Sequence, residues 1–299
     1  MAKLWYVCRK CRAKPALLNG SVALICILGL VGNGRIIYLL AFSIKRNSFT
    51  TFILNLSITD CGVLTSFIIA AVFVAVLTLH KSTNLPFAFV FLFLELFFFT
   101  YSASRFLLTA ISLDRCVGVL FPCWHRCHRP PYLPTLLCLL TWNLSFLLSA
   151  VHLILYQTTN FGILLFCFQI IVNGLLCTPL MVVSAVTLWI RMKSKSQRSQ
   201  RKLLTTILLA LLFFFLFSLP MDVFYVIEYF GSYNPLLLTV GIGCTALNRS
   251  INPLLYFLVG RKKRGKEQPR ATLKVALQRI FKDQQGSPED QKTMEETCL

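Results

Sequence analysis

The sequence predicts an all-α membrane protein, a bundle of seven transmembrane helices followed by a short amphipathic cytoplasmic helix. Three observations lead there. Of 299 residues, 56% are hydrophobic and 14% charged, against roughly 45–50% and about 25% in soluble domains. The apolar residues gather into seven blocks, at 17–42, 52–79, 86–121, 133–155, 161–190, 203–230 and 235–259. Each exceeds the ~20 residues that carry a helix across a ~30 Å hydrocarbon core. The blocks also lack the period-two alternation that a membrane β-barrel needs.

The net charge of +19 would suggest nucleic acid in a soluble chain. Here the bases sit in short connections and the tail, so no nucleic-acid partner is expected. The connections after spans one, three and five carry Lys45 and Arg46, then Arg126 and Arg129, then Arg191, Lys193, Lys195, Arg198, Arg201 and Lys202. Those after spans two, four and six carry only Lys81. The positive-inside rule places the first set, with Arg261 to Arg264, in the cytoplasm and the N-terminus outside, as a multi-pass plasma-membrane protein. Lys3, Arg9, Lys10, Arg12 and Lys14 pull the other way and are outvoted. The expected division is an extracellular tail at 1–16, the seven-span domain at 17–259, the amphipathic helix at 260–282 and a polar, disordered tail at 283–299.

The third span organises the chemistry. It ends in Ser112, Leu113, Asp114, Arg115 and Cys116, followed by Phe121, Pro122 and the basic, aromatic turn Trp124, His125, Arg126, Cys127, His128 and Arg129. An acid followed at once by a base at a span exit is costly to place in a membrane and reads as a switch. Span seven ends in Asn252, Pro253, Leu254, Leu255 and Tyr256.

Together these motifs resemble the third- and seventh-helix signatures of rhodopsin-like G-protein-coupled receptors. The run Leu107 to Pro130 is similar, more narrowly, to Mas-related receptors, which share Ile-Ser-acid-Arg-Cys and Trp-x-Arg-Cys-His-Arg-Pro. Thr178, Pro179, Leu180 and Met181 in span five match the Thr-Pro-Leu-Met of the Mas receptor. Ser218, two residues before Pro220, stands where most rhodopsin-like receptors have Trp, and the Mas-related group commonly shares that departure. The resemblance runs from span one to about Asp283. It implies a heterotrimeric G-protein as partner, an extracellular ligand and a nociceptive, orphan setting. It implies a gate in which Arg115 pairs with Asp114 at rest and turns toward Tyr256 on activation, with Asn252 and Pro253 completing the switch.

The remaining elements follow in order. Span one holds Asn33, whose amide needs a partner inside the bundle, and Arg35, which lies too far from the inner end at Lys45 to snorkel comfortably. Span two holds Asp60, which resembles the family's sodium-binding carboxylate. Arg249 in span seven, or less readily Arg105 in span three, is expected to pair with it and replace the ion, although both arginines also fit a receptor under weak constraint. Trp142 anchors span four, and Pro179 should bend or bulge span five. Pro220 supplies a hinge in span six. Glu95 and Asp222 in the outer half, with Glu228 beyond, suggest a cationic peptide or amine ligand, although such acids also cap helix ends in water. In the tail, Leu273, Ala276, Leu277, Ile280 and Phe281 form one apolar face suited to membrane lipids.

The twelve cysteines are not expected to form a disulfide framework. Rhodopsin-like receptors usually tie the outer end of helix three to the second outer loop, and Val90 stands where that Cys would fall. Cys167 finds no Cys within His152 to Gln157. Cys8 and Cys11 are too isolated for a metal site, and no metal or cofactor is expected. An enzyme would need a nucleophile beside a base or a metal cluster, which the sequence lacks. A small-solute transporter would show internal repeats and broken helices in matching halves. That transporter and a degenerate, non-signalling receptor-like protein are the alternatives.

Overall fold

The computed structural model describes residues 16–44, 47–80, 87–158, 162–192, 201–230, 235–260 and 273–282. The basic tail ahead of residue 16, Lys45, Arg46, Lys81, the cluster 193–200, Arg261 to Arg264 and the tail 283–299 lie outside them, as do the side chains of Val90, Cys167 and Glu228.

Every regular element among the described residues is helical. These are α1 Ala16–Tyr38, α2 Ser48–His80, α3 Phe87–Leu120, α4 Leu133–Thr158, α5 Gly162–Met192, α6 Arg201–Phe213, α7 Leu219–Phe230, α8 Pro235–Gly260 and α9 Leu273–Lys282. α6 and α7 are the two halves of the sixth span, joined by a wide π turn at Phe214–Ser218. Pro220 explains the turn, since it lacks an N–H and its ring crowds the carbonyl four residues back. The bend or bulge expected at Pro179 does not interrupt the α-helix, which runs through it from Gly162 to Met192.

Among the described residues six helices are long and apolar enough to cross a membrane by length and composition. The seventh span, α8, carries Asn248, Arg249 and Asn252 within its apolar run, and all three are buried. Most polar groups of the spans point inward, among them Asn33, Asp60, Ser104 and Arg105, while Leu24, Leu28, Leu147 and Leu175 face outward. That inversion of the soluble pattern is what a lipid solvent selects, since outside the bundle no polar group finds a partner. α3 runs through the middle, packed on α2, α4 and α5. α1 lies against α2 and α8. At Gly29 an added Cβ would lie 2.1 Å from Ser250 Oγ, so only glycine permits this approach of α1 to α8.

The tail helix departs from expectation. Ala276, Leu277 and Ile280 of α9 are fully buried against the protein, Leu277 and Ile280 in one cluster with Leu203, Leu204, Leu255 and Tyr256. Its apolar face is therefore covered by the inner ends of α6 and α8 instead of lying in lipid. An amphipathic period fixes which face is buried but not what buries it. Cys26, Cys61, Cys116, Cys127, Cys138, Cys177 and Cys244 are free thiols. Cys123 is disulfide-bonded. It is half-buried in the connection after α3.

Candidate transmembrane switch

Below the Glu95–His152 pair at the outer end of α3, three charged clusters lie along the helix. The first of these joins α3 to α7 just beyond the π turn. Arg105 donates through Nη2 to Asp222 Oδ2, and Tyr101 donates its hydroxyl to Asp222 Oδ1 at 2.9 Å. The Arg105 guanidinium lies 5.2 Å from the centre of the Tyr101 ring and 5.1 Å from that of Phe214. With Arg105 wholly buried, the pair sits in low dielectric, where breaking it costs far more than at a surface.

The middle cluster gathers α1, α2, α3 and α8. Arg249 Nη1 donates to Ser104 Oγ at 2.5 Å and to Asp60 Oδ1 at 3.4 Å, and Ser104 Oγ donates to Asp60 Oδ1 at 3.1 Å. Asn252 Nδ2 donates to Asp60 Oδ2 at 2.7 Å. Asn33 Nδ2 donates to the carbonyls of Gly29 at 3.0 Å and Arg249 at 3.1 Å, tying α1 to α8. A fully buried carboxylate thus meets one guanidinium, one hydroxyl and one amide, a set that neutralises its charge within the protein.

The innermost cluster is the acid–base pair at the exit of α3. Arg115 donates from Nε to Asp114 Oδ2 at 2.9 Å and from Nη2 to the same oxygen. Arg129 Nη2 lies 2.6 Å from Asp114 Oδ1, and its Nη1 donates to His125 Nε2 at 2.7 Å. Burial pushes the Arg129 guanidinium below its ordinary range, against the pull of Asp114. The Arg115 guanidinium lies 5.5 Å from the centre of the Phe49 ring, and Tyr256 is buried in the core.

The structure brings some of the residues singled out in the sequence together and separates others. Asp114 and Arg115 meet, and Asp60 meets Arg249. Arg105 pairs with Asp222 instead of Asp60, because its depth on α3 is that of α7 above the hinge. Asn252 belongs with Asp60 in this arrangement. Asp222 is not an open carboxylate, and Glu95 accepts from His152 Nδ1 on α4 through Oε1. Pro253 packs toward α1, where an added Cβ on Gly32 would lie 3.1 Å from its ring.

Several partners escaped sequence reading: Tyr101, Ser104, Arg129, His152, and the pair Asn248 Nδ2 to Ser218 Oγ at 2.8 Å. Two left a trace. Tyr101 precedes Arg105 by one helical turn. His152 is a lone ionisable group in an apolar span, which signals a partner inside. Trp142 donates to Asn55 Oδ1 at 3.0 Å, which fixes α4 on α2.

The family profile described as 7 transmembrane receptor (rhodopsin family) matches residues 32–256. The chain is 35% identical to the human (Homo sapiens) Proto-oncogene Mas over 86% of its own length and 81% of that protein's. Human Mas-related G-protein coupled receptor member D is 32% identical over 89% and 85%, and rat (Rattus norvegicus) member H is 35% identical over 87% and 81%. The chain belongs to the Mas-related group of rhodopsin-family receptors. It is therefore a multi-pass membrane receptor that couples an extracellular ligand to heterotrimeric G-proteins, and its relatives are receptors and not enzymes. The three clusters lie inside the matched region.

Proposed function

We propose that this receptor answers a cationic peptide or amine, held at Glu95, and passes the signal down α3 by loosening the outer and inner ion pairs in turn. The N-terminal tail faces outside and the C-terminus the cytoplasm, following the positive loops. The observation that carries the ligand reading is at Glu95: its Oε1 accepts from His152, but its Oε2 is buried without a hydrogen-bond partner. An unmet carboxylate oxygen near the outer end of the bundle favours a guest that donates, and an ammonium or guanidinium donates with charge. Asp222, satisfied by Arg105 and Tyr101, acts as the lock between α3 and α7. Its release would let α6 swing about the π turn before Pro220. The nociceptive, orphan setting rests on the resemblance to the group alone.

Exchanging Glu95 for Gln should lower the potency of a basic-peptide or amine agonist about 10-fold, the worth of one partly desolvated charge contact. A library of basic peptides and amines on receptor-expressing cells, read by calcium and cyclic nucleotide, supplies the agonist. Equal potency on both receptors would remove Glu95 from the ligand site.

The middle cluster works as a fixed counter-ion. With Arg249 within 3.4 Å of Asp60 and Asn252 and Ser104 on its oxygens, no positive charge is wanting there. Replacing sodium by potassium in the medium should then change agonist affinity by no more than about twofold, against the 5–150-fold of ordinary allosteric effectors. A larger sodium effect, abolished in Asp60→Asn, would return the site to the ion.

A further inference from the structure

Arg35 is the one charged side chain in the described span interiors that faces outward with no hydrogen bond or ion pair. The others, Asp60, Glu95, Arg105, Asp114, Arg115, Asp222 and Arg249, are turned inward and partnered. Around Arg35 the outward face of α1 is apolar: Leu24, Leu28 and Val31 on one side, Tyr38 and Phe42 on the other, with the Tyr38 and Phe42 rings 5.6 Å apart.

The cation cannot easily reach water. Arg35 stands eight residues before Ser43, where the span ends, about 12 Å along the axis. An extended guanidinium covers only about half of that distance. The Cα–Cβ bond also tilts toward the helix N-terminus, away from the nearer end. A bare guanidinium at that depth is expensive, so an anion must come to it. A second copy of the chain has none to offer at this face: among the described carboxylates Asp60, Asp114 and Asp222 are buried, and Glu95 is held by His152. What a membrane does supply is a lipid phosphate drawn slightly inward from the headgroup layer. Tyr38, one turn nearer that layer, and Gly34, with nothing within 4 Å of an added Cβ, leave room beside it.

We infer that Arg35, with Tyr38 beside it, forms a lipid-facing site for the headgroup of an anionic phospholipid at the Ser43 end of α1. The site is separate from the three clusters along α3.

The test reads the lipid at that spot. A benzophenone amino acid replaces Gly34, and the receptor is placed in bilayer discs holding phosphatidylcholine and phosphatidylserine in equal proportion. After illumination, mass spectrometry gives the ratio of the two lipids captured. With Arg35 present the ratio should favour phosphatidylserine about fivefold, the worth of one basic residue against an anionic surface. Arg35→Lys should keep the preference and Arg35→Leu should bring the ratio close to one. Leucine suits a lipid-facing helix position, so that variant folds. A ratio close to one with Arg35 present, an unchanged ratio in Arg35→Leu, or capture of a second receptor copy in place of lipid each overturns the assignment.

Discussion

Replacing Arg105 with leucine should cost the folded receptor about 3–5 kcal/mol, because Asp222 is then left as an unpaired carboxylate among Tyr101 and Phe214. The neighbouring groups cannot take over. Arg249 is held by Asp60 and Ser104, and Tyr101 contributes one neutral hydrogen bond. The loss should appear as a lower thermal midpoint in detergent and a reduced folded fraction at the cell surface. Adding Asp222→Asn to Arg105→Leu should recover most of it, since exchanging a buried ion pair for neutral groups is often close to neutral in stability. Asp222→Asn alone should be damaging too, because Arg105 then loses its one ionic partner among the described residues. Recovery in the double variant separates the pair from a general intolerance of substitution in α3. If the double variant is as unstable as the sum of the single ones, Arg105 and Asp222 do not act as a unit.

Much of this was legible in the chain. Length and hydropathy gave the crossings, because a lipid solvent imposes a minimum helix length and removes polar residues from the outer face. Asp114 and Arg115 were visible as a unit because they are adjacent, and Asp60 and Arg249 because a buried acid near mid-membrane calls for a cation. The pairing of Arg105 was not legible. Its partner is 117 positions away, and the choice between Asp60 and Asp222 depends on the rotation and depth of three helices, which periodicity within one helix does not fix. The Pro220 hinge was predicted as a break in hydrogen bonding, but whether the chain answers with a kink or a π turn depends on packing around Phe214. The apolar face of α9 has the same ambiguity, since lipid and protein satisfy it equally.

The placement of the pairs gives the fold a physical logic. Arg105 and Arg115 are ten residues apart on one helix, about 15 Å along its axis. The outer pair holds α3 to the half of the sixth span above the π turn, while the inner pair lies at the exit of α3. The middle cluster ties α1, α2, α3 and α8 into one block around Asp60. The outer half of the sixth span is attached to that block through Asp222, through the contact of Ser218 with Asn248 and through Thr245, which donates to Met221 Sδ.

At the inner end, Arg115→Ala should abolish agonist-driven G-protein activation, at least tenfold below the native receptor in nucleotide exchange, while leaving the receptor at the cell surface. The asymmetry follows from the local charges. Removing Arg115 still leaves Asp114 with Arg129 at 2.6 Å, so the buried acid keeps a counter-ion and the bundle keeps its stability. What disappears is the guanidinium that, once freed, would turn toward Tyr256 and meet the G-protein. Asp114→Asn should act in the opposite sense, raising basal exchange, because it weakens the hold on Arg115 and Arg129 together. Paired measurements of surface amount and nucleotide exchange therefore distinguish a gate from a structural clamp. A clamp loses surface receptor in both variants, whereas a gate moves signalling in opposite directions with surface amount nearly constant.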